Sequence, residues 1–545
     1  MNYFGSVWWA RLLGLGGALR PRRVIGNVAV TAVRAGVCVA VPLVVLVGID
    51  RVDLAPYAAL GCFTALYARD DTYARRRRVL ALVGATLTVS VLVGALTRAL
   101  VGGAWVSVLV VAVVAAAVKF VSDAWDFGPP GGLMFVFAAG VSSYTPQSLG
   151  AIPVQVAVTA AAAALCWVVA SVGVLVHPSA PERLVVARAL VAVAHQLRDP
   201  CLGRRGAAEA AVCRAWGVVV AAPRWRVAVP ELEVLTARAD AALAGSGDRV
   251  VDARTAAEFT ELARRCRRAR VPEVLAGEEE WAVLAAQAER VRGARLGALG
   301  WGGRLGRAWR WPSAAPVSAA RVMVAALAAG ALAPVLGVEH WYWAVVSAAS
   351  VLQATNVSST WHRTVQRATG TVAGIVVAAA VFAVDHTVWS TVVLIVACQI
   401  GAELVVMTNY AYAIVLVTPL TLALSSLTQP GATTDGMVLE RLWATVLGAV
   451  VGAVVCVVVL NRRGPARVEA ALAVCERACA RVEAGGGVVA RYRLAGALVD
   501  VWRVQEEAEG EVWSRGGEAG RVWGVESRAR ALVDRERVVV AVAVG

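Results

Sequence analysis

A long hydrophobic block occurs twice in this chain, at about 27–176 and at 317–461, and a charged, arginine-rich segment follows each copy. An offset of 286 positions aligns the two copies and places Arg77 on Arg363. Few aligned residues are identical, so the comparison depends on the shared order of features. Internal repeats with a binding site between them are typical of membrane transporters. The repeat therefore predicts a membrane protein built from two related blocks.

The composition also favours a membrane protein. Hydrophobic residues make up 59% of the chain, and the mean hydropathy is +0.66, above that of ordinary soluble domains. An apolar helix of roughly 20 residues crosses a hydrocarbon core of ~30 Å, and stretches such as 27–49 and 151–176 are long enough. The apolar runs do not alternate strictly with polar residues, so membrane-spanning β-strands are not expected. The sequence also predicts no cleaved signal peptide.

Each block divides into six predicted helical spans, which gives an all-α integral membrane protein with two repeated six-helix transmembrane blocks. The predicted spans of the first block are 27–49, 54–68, 79–100, 103–122, 131–146 and 151–176. Those of the second block are 317–337, 341–357, 364–384, 388–406, 409–427 and 437–461. The division between 406 and 409 is the weakest, because the sequence around it is almost continuously apolar.

The distribution of positive charge orients the chain. The formal net charge is +15, and Lys119 is the only lysine. Loops rich in arginine stay in the cytoplasm and favour anionic lipid headgroups. Both termini and both charged segments are therefore predicted to be cytoplasmic. The arginines behind this prediction precede the first span or follow the second, eighth and twelfth: Arg11, Arg20, Arg22, Arg23, Arg69, Arg75, Arg76, Arg77, Arg78, Arg363, Arg367, Arg462, Arg463 and Arg467.

The predicted organisation has five parts. They are a cytoplasmic N-terminal segment at 1–26, the first membrane block at 27–176, a cytoplasmic helical domain at 177–316, the second membrane block at 317–461 and a cytoplasmic helical tail at 462–545. Apolar residues recur at three- and four-residue intervals in both charged segments, which is typical of amphipathic helices.

Several function classes lack support in the sequence. No zinc-finger spacing and no basic region interleaved with stacking aromatics occurs, so nucleic-acid binding is not expected. The ten cysteines form no C-x-x-C pair, and histidine is absent near Cys475 and Cys479. The cysteines are therefore predicted to be reduced and structural, without a metal or a cofactor. No phosphate-binding G-x-x-x-x-G-K loop supports ATP-driven transport, and no nucleophile–base pair indicates an enzyme.

The second and eighth predicted spans are short, occupy corresponding positions, and end in polar residues. A pair of short hydrophobic segments at matching positions indicates the binding site of a transporter. The alternative is a pair of ordinary, tilted spans with hydrated ends. The polar residues are Thr64, Tyr67, Arg69 and Asp70 in the first half, and Gln353, Thr355, Asn356 and Ser358 in the second.

Arginines open two spans of the second block. The pattern Arg-x3-Thr-x2-Gly begins at Arg367 in the ninth span and at Arg441 in the twelfth, and Arg363 lies one turn before Arg367. A helix N-terminus favours anions, and added guanidinium groups make a site for carboxylates. Snorkelling of these arginines to lipid phosphates is the alternative.

Glu403 lies in apolar sequence, where a carboxylate is costly and indicates a proton relay or a cation partner. In the first half, Asp123 and Asp126 occupy the comparable stretch, together with Lys119 and before the turn Gly-Pro-Pro-Gly-Gly. The alternative for both groups is a position at the cytoplasmic interface of the membrane.

Several motifs of the two blocks carry a family resemblance: Tyr342-Trp343-Ala344, Gln353, Arg363, Arg367-x2-Gly370-Thr371-x2-Gly374, Glu403-x5-Asn409-Tyr410-x8-Pro419, Tyr57-Ala58-Ala59-Leu60-Gly61, the run near Arg77 and the Gly-Pro-Pro-Gly turn. They resemble the fusaric acid resistance (FUSC) type of permease, a family that includes the aromatic acid exporters. The resemblance implies export of aromatic carboxylic acids by proton antiport across a bacterial cytoplasmic (inner) membrane. The first half departs from the pattern, because Tyr67 stands where the second half has Gln353 and Ala81 replaces Arg367. The two halves are therefore not expected to bind equivalently.

The resulting hypothesis is a secondary-active exporter of small organic anions, with protons and membrane lipids as its other partners. Arg363 and Arg367 are expected to attract the substrate carboxylate, and Glu403 to carry the coupled proton. A gated anion channel is one alternative, and a non-transporting protein that recruits partners through its cytoplasmic helices is the other. The candidate substrate-binding residues are Gln353, Asn356, Arg363, Arg367, Tyr410, Tyr67 and Arg77, and the candidate proton carriers are Glu403, Asp123 and Asp126.

Overall fold

The predicted all-α membrane fold is confirmed. The structure, a computed structural model, describes residues 19, 21, 28–145, 147–222, 229–245, 248–268, 278–293, 301–310, 312–354, 356–427, 434–459, 463–511 and 519–544. Helices make up the regular structure throughout these ranges, which contain no β-strand. The predicted N-terminal segment 1–26 falls outside the described residues, apart from positions 19 and 21, and so do its four arginines and Arg462.

The first membrane block contains six helices, α1 to α6. The second helix is flanked by short 3-10 turns at Val52–Leu54 and Phe63–Leu66. The helices are α1 (Val28–Gly48), α2 (Ala55–Cys62), α3 (Tyr73–Leu100), α4 (Ala104–Trp125), α5 (Leu133–Tyr144) and α6 (Ile152–Val176).

The charged segment that follows forms α7 (Ala180–Arg198), α8 (Leu202–Ala221), α9 (Val229–Ala242), α10 (Arg249–Arg267), α11 (Glu278–Gly293) and α12 (Trp301–Trp309). The second membrane block forms α13 (Ala315–Val335), α14 (Trp341–Val351), α15 (Val357–Phe382), α16 (Val388–Val405), α17 (Tyr410–Ser426) and α18 (Thr434–Val458). The tail forms α19 (Gly464–Glu483), α20 (Gly487–Glu509) and α21 (Ala519–Val544).

Helix length divides the twelve predicted spans into two groups. Within the described residues, eight helices are long and apolar enough to cross a membrane, and four shorter apolar helices accompany them. The helix α14 has 11 residues and rises about 17 Å, well short of the ~30 Å hydrocarbon core. The short lengths predicted for the second and eighth spans are therefore confirmed, and α5 and α17 are short as well.

Two long helices begin earlier than the hydropathy predicts. Helix α3 begins at Tyr73 rather than near 79, because the Thr72 side chain accepts a hydrogen bond from the amide of Arg75. Helix α15 begins at Val357 rather than near 364, because Asn356 and Ser359 form a capping box. Capping residues satisfy amide groups that a helix start leaves without partners, so polar sequence can extend an apolar helix beyond the membrane.

The two blocks pack against each other in a reciprocal way. The first helix of each block contacts the fourth helix of the other, α1 with α16 and α13 with α4. Inside each block, the third helix contacts the fifth and the sixth. A close approach between α15 and α17 requires glycine at 370, since a Cβ there would lie 2.6 Å from the carbonyl oxygen of Ala411. One continuous hydrophobic core joins the blocks.

The two charged segments pack together outside the blocks. Helices α8, α9 and α11 contact α20 or α21 of the tail. Arg537 donates to Asp240 at 2.9 Å, and Tyr492 donates to the same carboxylate at 2.8 Å. The segment reaches the first block through an ion pair between Arg188 and Asp70 at 2.8 Å. These contacts join both charged segments to the same side of the membrane blocks.

Candidate functional site

A cavity of about 1480 Å³ lies between the two membrane blocks and continues to the charged segment after the first. Its walls include residues of both blocks and of α7, α8 and α12. Among the described residues, nine arginines and four carboxylates line it, so the cavity is positively charged. They are Arg69, Arg75, Arg78, Arg188, Arg214, Arg304, Arg363, Arg367 and Arg441, with Asp70, Asp71, Asp126 and Glu403.

Arg363, Arg367 and Tyr410 form one group in the cavity wall. Both arginines lie on α15 one turn apart, and Tyr410 begins the neighbouring α17. Arg367 donates to the Tyr410 hydroxyl at 3.1 Å and to the Ser347 hydroxyl at 3.2 Å. The Arg363 guanidinium lies 5.5 Å from the Tyr410 ring centroid. In the part of the chain that the structure describes, neither arginine has a carboxylate partner, so both present uncompensated positive charge to the cavity.

Arg441 enters the same cavity from α18. Its guanidinium carbon lies 3.2 Å from the centroid of the Trp343 ring, and the residue is only 4% exposed. Its Nε and Nη1 atoms are buried and have no hydrogen-bond partner among the described residues. Arg441 thus joins Arg363 and Arg367 as an arginine without a carboxylate partner among the described residues. The Trp343 ring holds its guanidinium group, whose Nε and Nη1 donors are unused.

Glu403 pairs with Arg69 across the two blocks. The Arg69 Nη2 atom lies 2.9 Å from Oε1 and 2.8 Å from Oε2 of Glu403. The Glu403 side chain is 5% exposed and the Arg69 side chain 17%. The sequence left two roles open for Glu403, a proton relay or pairing with a cation. The structure contains such a cation, Arg69 of the first block.

Aromatic residues of the short helices α5 and α14 border the end of the cavity away from the charged segments. The Phe137 and Trp343 ring centroids lie 5.2 Å apart, and those of Tyr144 and Tyr342 also lie 5.2 Å apart. Beyond this cluster, a second cavity of about 460 Å³ is lined by Tyr144, Glu339 and Arg98. The aromatic cluster therefore separates two cavities on opposite sides of the blocks.

Three of the predicted substrate-binding residues make hydrogen bonds within the protein and do not line the cavity. The Tyr67 hydroxyl donates to the carbonyl of Gly131 at 2.7 Å. The Gln353 side chain accepts from the amide of Gly132 at 3.3 Å and donates to the Ala349 carbonyl at 3.1 Å. Asn356 caps α15, and its side chain donates to the Glu507 carbonyl at 3.4 Å.

The arginine run of α3 has separate functions at neighbouring positions. Arg75 donates to the carbonyl of Asp126 at 2.9 Å, and Arg76 is buried and donates to the carbonyls of Ala68 and Arg69 at 3.0 and 2.9 Å. Arg77, a predicted substrate-binding residue, is exposed and does not line the cavity. These arginines are therefore not interchangeable.

The two other predicted proton carriers lie in different surroundings. Asp123 forms an ion pair with Lys119 at 2.8 Å and does not line the cavity. Asp126 follows α4 in a left-handed backbone conformation and lines the cavity. The cavity thus brings together Arg363, Arg367, Tyr410, Glu403 and Asp126 from the sequence-based candidates.

The final list of candidate binding residues and proton carriers omits Arg69, Trp343 and Arg441. The sequence pattern Arg-x3-Thr-x2-Gly had nevertheless indicated Arg441 as an arginine at a helix start. Nothing in the sequence indicates the pairing of Arg69 with Glu403, because it depends on how the two blocks pack. Within the described residues, no group of three or more His, Cys, Asp or Glu side chains has the arrangement of a metal site.

Comparison with known proteins supports the assignment of the second block. Residues 327–455 match the family model described as fusaric acid resistance protein-like. The FUSC resemblance predicted from the sequence is confirmed for this segment of the second block. This FUSC-type segment contains Trp343, Arg363, Arg367, Glu403 and Arg441 of the site.

The chain is also similar to the uncharacterized membrane protein YvaC of Bacillus subtilis (strain 168). The identity is 26% over 456 residues, which cover 77% of this chain and 71% of the relative. No solved structure matches the chain. The chain is thus a multi-pass membrane protein with a FUSC-type second block, which agrees with a transporter.

Proposed function

We propose that this protein exports small organic anions, aromatic carboxylic acids in particular, from the cytoplasm in exchange for protons. The observation that carries the proposal is the pair Arg363 and Arg367, which line the cavity and lack a carboxylate partner among the described residues. A cation withdrawn from water is costly unless it is paired. A substrate carboxylate removes that cost, since guanidinium groups bind carboxylates through charge-assisted hydrogen bonds.

The cavity suits an anion with an aromatic body. Its volume of about 1480 Å³ exceeds the roughly 300–1,000 Å³ of ordinary ligand sites, so it can hold a small organic acid together with water. Phe137, Trp343 and Tyr410 line it and offer ring faces and edges for stacking. Arginines at its outer part, such as Arg214 and Arg304, attract anions from the cytoplasm through their long-range field.

Two cavities on opposite sides of an aromatic cluster support alternating access. In this arrangement the large cavity faces the charged segments, and the contacts between α5 and α14 close the other end. Rocking of one block against the other would open that end and close the cytoplasmic one. The substrate then leaves on the side of Tyr144 and Glu339.

Proton coupling is proposed to act through the Arg69–Glu403 ion pair. The pair connects the first block to the second at the cavity wall. A proton on Glu403 cancels the charge that holds Arg69, so protonation loosens a contact between the blocks. The proton would thus favour one of the two conformations, and its release on the cytoplasmic side would restore the other.

Uptake into proteoliposomes tests this function. The probe is radiolabelled p-aminohippurate, an aromatic carboxylate whose charge near neutral pH slows its diffusion through lipid. With the membrane potential clamped by potassium and valinomycin, an acidic lumen should drive accumulation, and a protonophore should abolish it. Flux that follows the membrane potential and ignores the pH gradient would support a gated anion channel instead. No flux of this probe under either gradient would contradict the proposal.

A further inference from the structure

We propose that Arg441 is a further anion-binding residue, which holds the substrate carboxylate together with Arg367 at the end of the cavity remote from the cytoplasm. The inference rests on the proposed function and adds a second binding position to it. On this view the anion passes from Arg363 and Arg367 to Arg367 and Arg441 before it leaves.

Burial and unused donors distinguish Arg441 from a surface arginine. The residue is 4% exposed, and its Nε and Nη1 atoms have no partner among the described residues. A guanidinium group has five N–H donors and no acceptor, so it needs acceptors from elsewhere. It lines the cavity, from which an acceptor can approach. A carboxylate provides two oxygens in the geometry that a guanidinium fork binds.

The stacking contact positions Arg441 but does not satisfy it. The Trp343 ring covers one face of the guanidinium at 3.2 Å, and such a contact stabilises a desolvated cation. The N–H bonds lie in the guanidinium plane, so a contact with the face of that plane leaves them unpaired. Trp343 therefore holds the plane in place while its edge stays available to a ligand.

The position of Arg441 relative to Arg367 fits a shared ligand. Arg367 contacts Ser347 of α14, and Arg441 contacts Trp343, four residues nearer the start of that helix. Four helical residues rise about 6 Å, so the two contact points on α14 lie one turn apart. The charges of Arg367 and Arg441 also act on each other. An anion between them replaces repulsion by attraction to both.

A structural function for Arg441 predicts different behaviour. If the stack on Trp343 is its only task, removing the guanidinium lowers the stability of the empty protein. If Arg441 binds a ligand, its charge is buried and unpaired in the empty protein. Removing that charge then does not lower the stability of the empty protein, because the desolvation cost disappears with the charge. Lipid snorkelling is not available to a side chain inside a cavity whose walls come from both blocks.

The test measures p-aminohippurate binding to the full-length protein in lipid nanodiscs by titration calorimetry, together with the melting temperature without ligand. The variants are Arg441→Gln, Arg441→Lys and Arg367→Gln. The matched control is Arg77→Gln, which removes an exposed positive charge that does not line the cavity. We expect Arg441→Gln to weaken binding about ten- to a hundredfold, Arg441→Lys to weaken it less, and the control to change it less than about twofold. The melting temperature of empty Arg441→Gln should not fall.

Each result decides the inference. Native affinity in Arg441→Gln with weakened affinity in Arg367→Gln would overturn it and leave the proposed function intact. A lower melting temperature in Arg441→Gln together with native affinity in the better-folded Arg441→Lys would assign Arg441 a structural function only. Absence of binding in the native protein would contradict both proposals.

Discussion

The hydroxyl of Tyr67 and the side-chain amide of Gln353 bind the two polar ends of a single peptide group, the one between Gly131 and Gly132. Tyr67 donates to the carbonyl of Gly131, and Gln353 accepts from the amide of Gly132. The two residues occupy aligned positions in the two halves of the sequence. The turn precedes α5, which carries Phe137 of the aromatic cluster. Both side chains therefore fix the start of the short helix that closes the cavity.

We predict that Tyr67→Phe and Gln353→Leu lower the melting temperature and leave p-aminohippurate affinity within about twofold. Each change leaves a turn peptide group without its partner, at a cost of about 1–3 kcal/mol. The control is Tyr412→Phe, since Tyr412 is exposed and donates to the carbonyl of Leu19. Weakened binding by Gln353→Leu at native stability would instead support the ligand function predicted from the sequence.

Arg367→Gln should weaken the apparent affinity for p-aminohippurate in export by about ten- to a hundredfold, because a charge-assisted hydrogen bond is lost. Arg363→Gln should have a smaller effect, since Arg363 is less buried than Arg367. Arg77→Gln is the control, because Arg77 lies one turn into α3 and off the cavity. Concentration-dependent flux in proteoliposomes measures all three. Equal changes of apparent affinity in the three variants would instead support the alternative that Arg363 and Arg367 bind lipid phosphates and not the substrate.

Glu403→Gln should bind p-aminohippurate and fail to accumulate it against a gradient. Glutamine keeps the shape of the side chain but cannot exchange a proton, and it no longer pairs electrostatically with Arg69. The comparison variant is Asp123→Asn, whose parent carboxylate pairs with Lys119 away from the cavity. Proton-driven flux in proteoliposomes, at matched protein amounts, is the measurement. If Asp123→Asn loses uphill flux and Glu403→Gln retains it, the coupled proton is carried by Asp123 of the first block and not by Glu403.

The predicted topology can be checked with cysteine labelling. Of the ten native cysteines, Cys201 alone is exposed, and it lies between α7 and α8. A membrane-impermeant maleimide should therefore label the native protein only after cells are permeabilised. Asp385→Cys, in the exposed loop between α15 and α16, should be labelled in intact cells. Labelling of the native protein in intact cells would reverse the orientation.

The contact between the charged segments should weaken in acid. Burial alone would raise the pKa of Asp240, but the charges of Arg537 and Arg491 and the hydrogen bonds from Tyr492 and Arg537 hold it below its ordinary value of 3.8. A carboxyl group with a lowered folded-state pKa stabilises the fold above its ordinary pKa, and this contribution is lost as the pH falls through the lower value.

Asp240→Asn should therefore melt at a lower temperature than the native protein at neutral pH, since breaking a buried ion pair costs about 3–5 kcal/mol. The difference should shrink as the pH falls below 3.8. Asp500→Asn is the control, because its ion pair with Arg503 is exposed. A difference that stays constant with pH would assign the loss to packing and not to charge.

The sequence predicted contacts within one helix better than contacts between helices. Arg363 and Arg367 share a cavity because residues four apart lie on the same helical face. The division predicted between 406 and 409, the weakest of the sequence-based boundaries, is present in the structure, where Asn409 accepts a hydrogen bond from the amide of Ala411 and so caps α17.

Contacts that depend on the packing of distant segments lay beyond a sequence argument. Asn356 looks like a polar residue at the end of a short span, yet it binds the carbonyl of Glu507 in the tail. The charged residues before 79 look like a loop, yet the cap at Thr72 makes them the first turns of α3. Hydropathy reports the membrane environment of a segment and carries no information on which distant partner it meets.

The docking of the tail has a mechanical consequence. Arg321 of α13 donates two hydrogen bonds of 3.1 Å to Glu511. Helix α7, which packs against α8 and α9, reaches the first block through the ion pair of Arg188 with Asp70. The charged segments thus connect the two blocks to each other on one side of the membrane. This connection limits how far the blocks can separate at that end, so the proposed transport cycle requires the charged segments to bend or one of the two ion pairs to break.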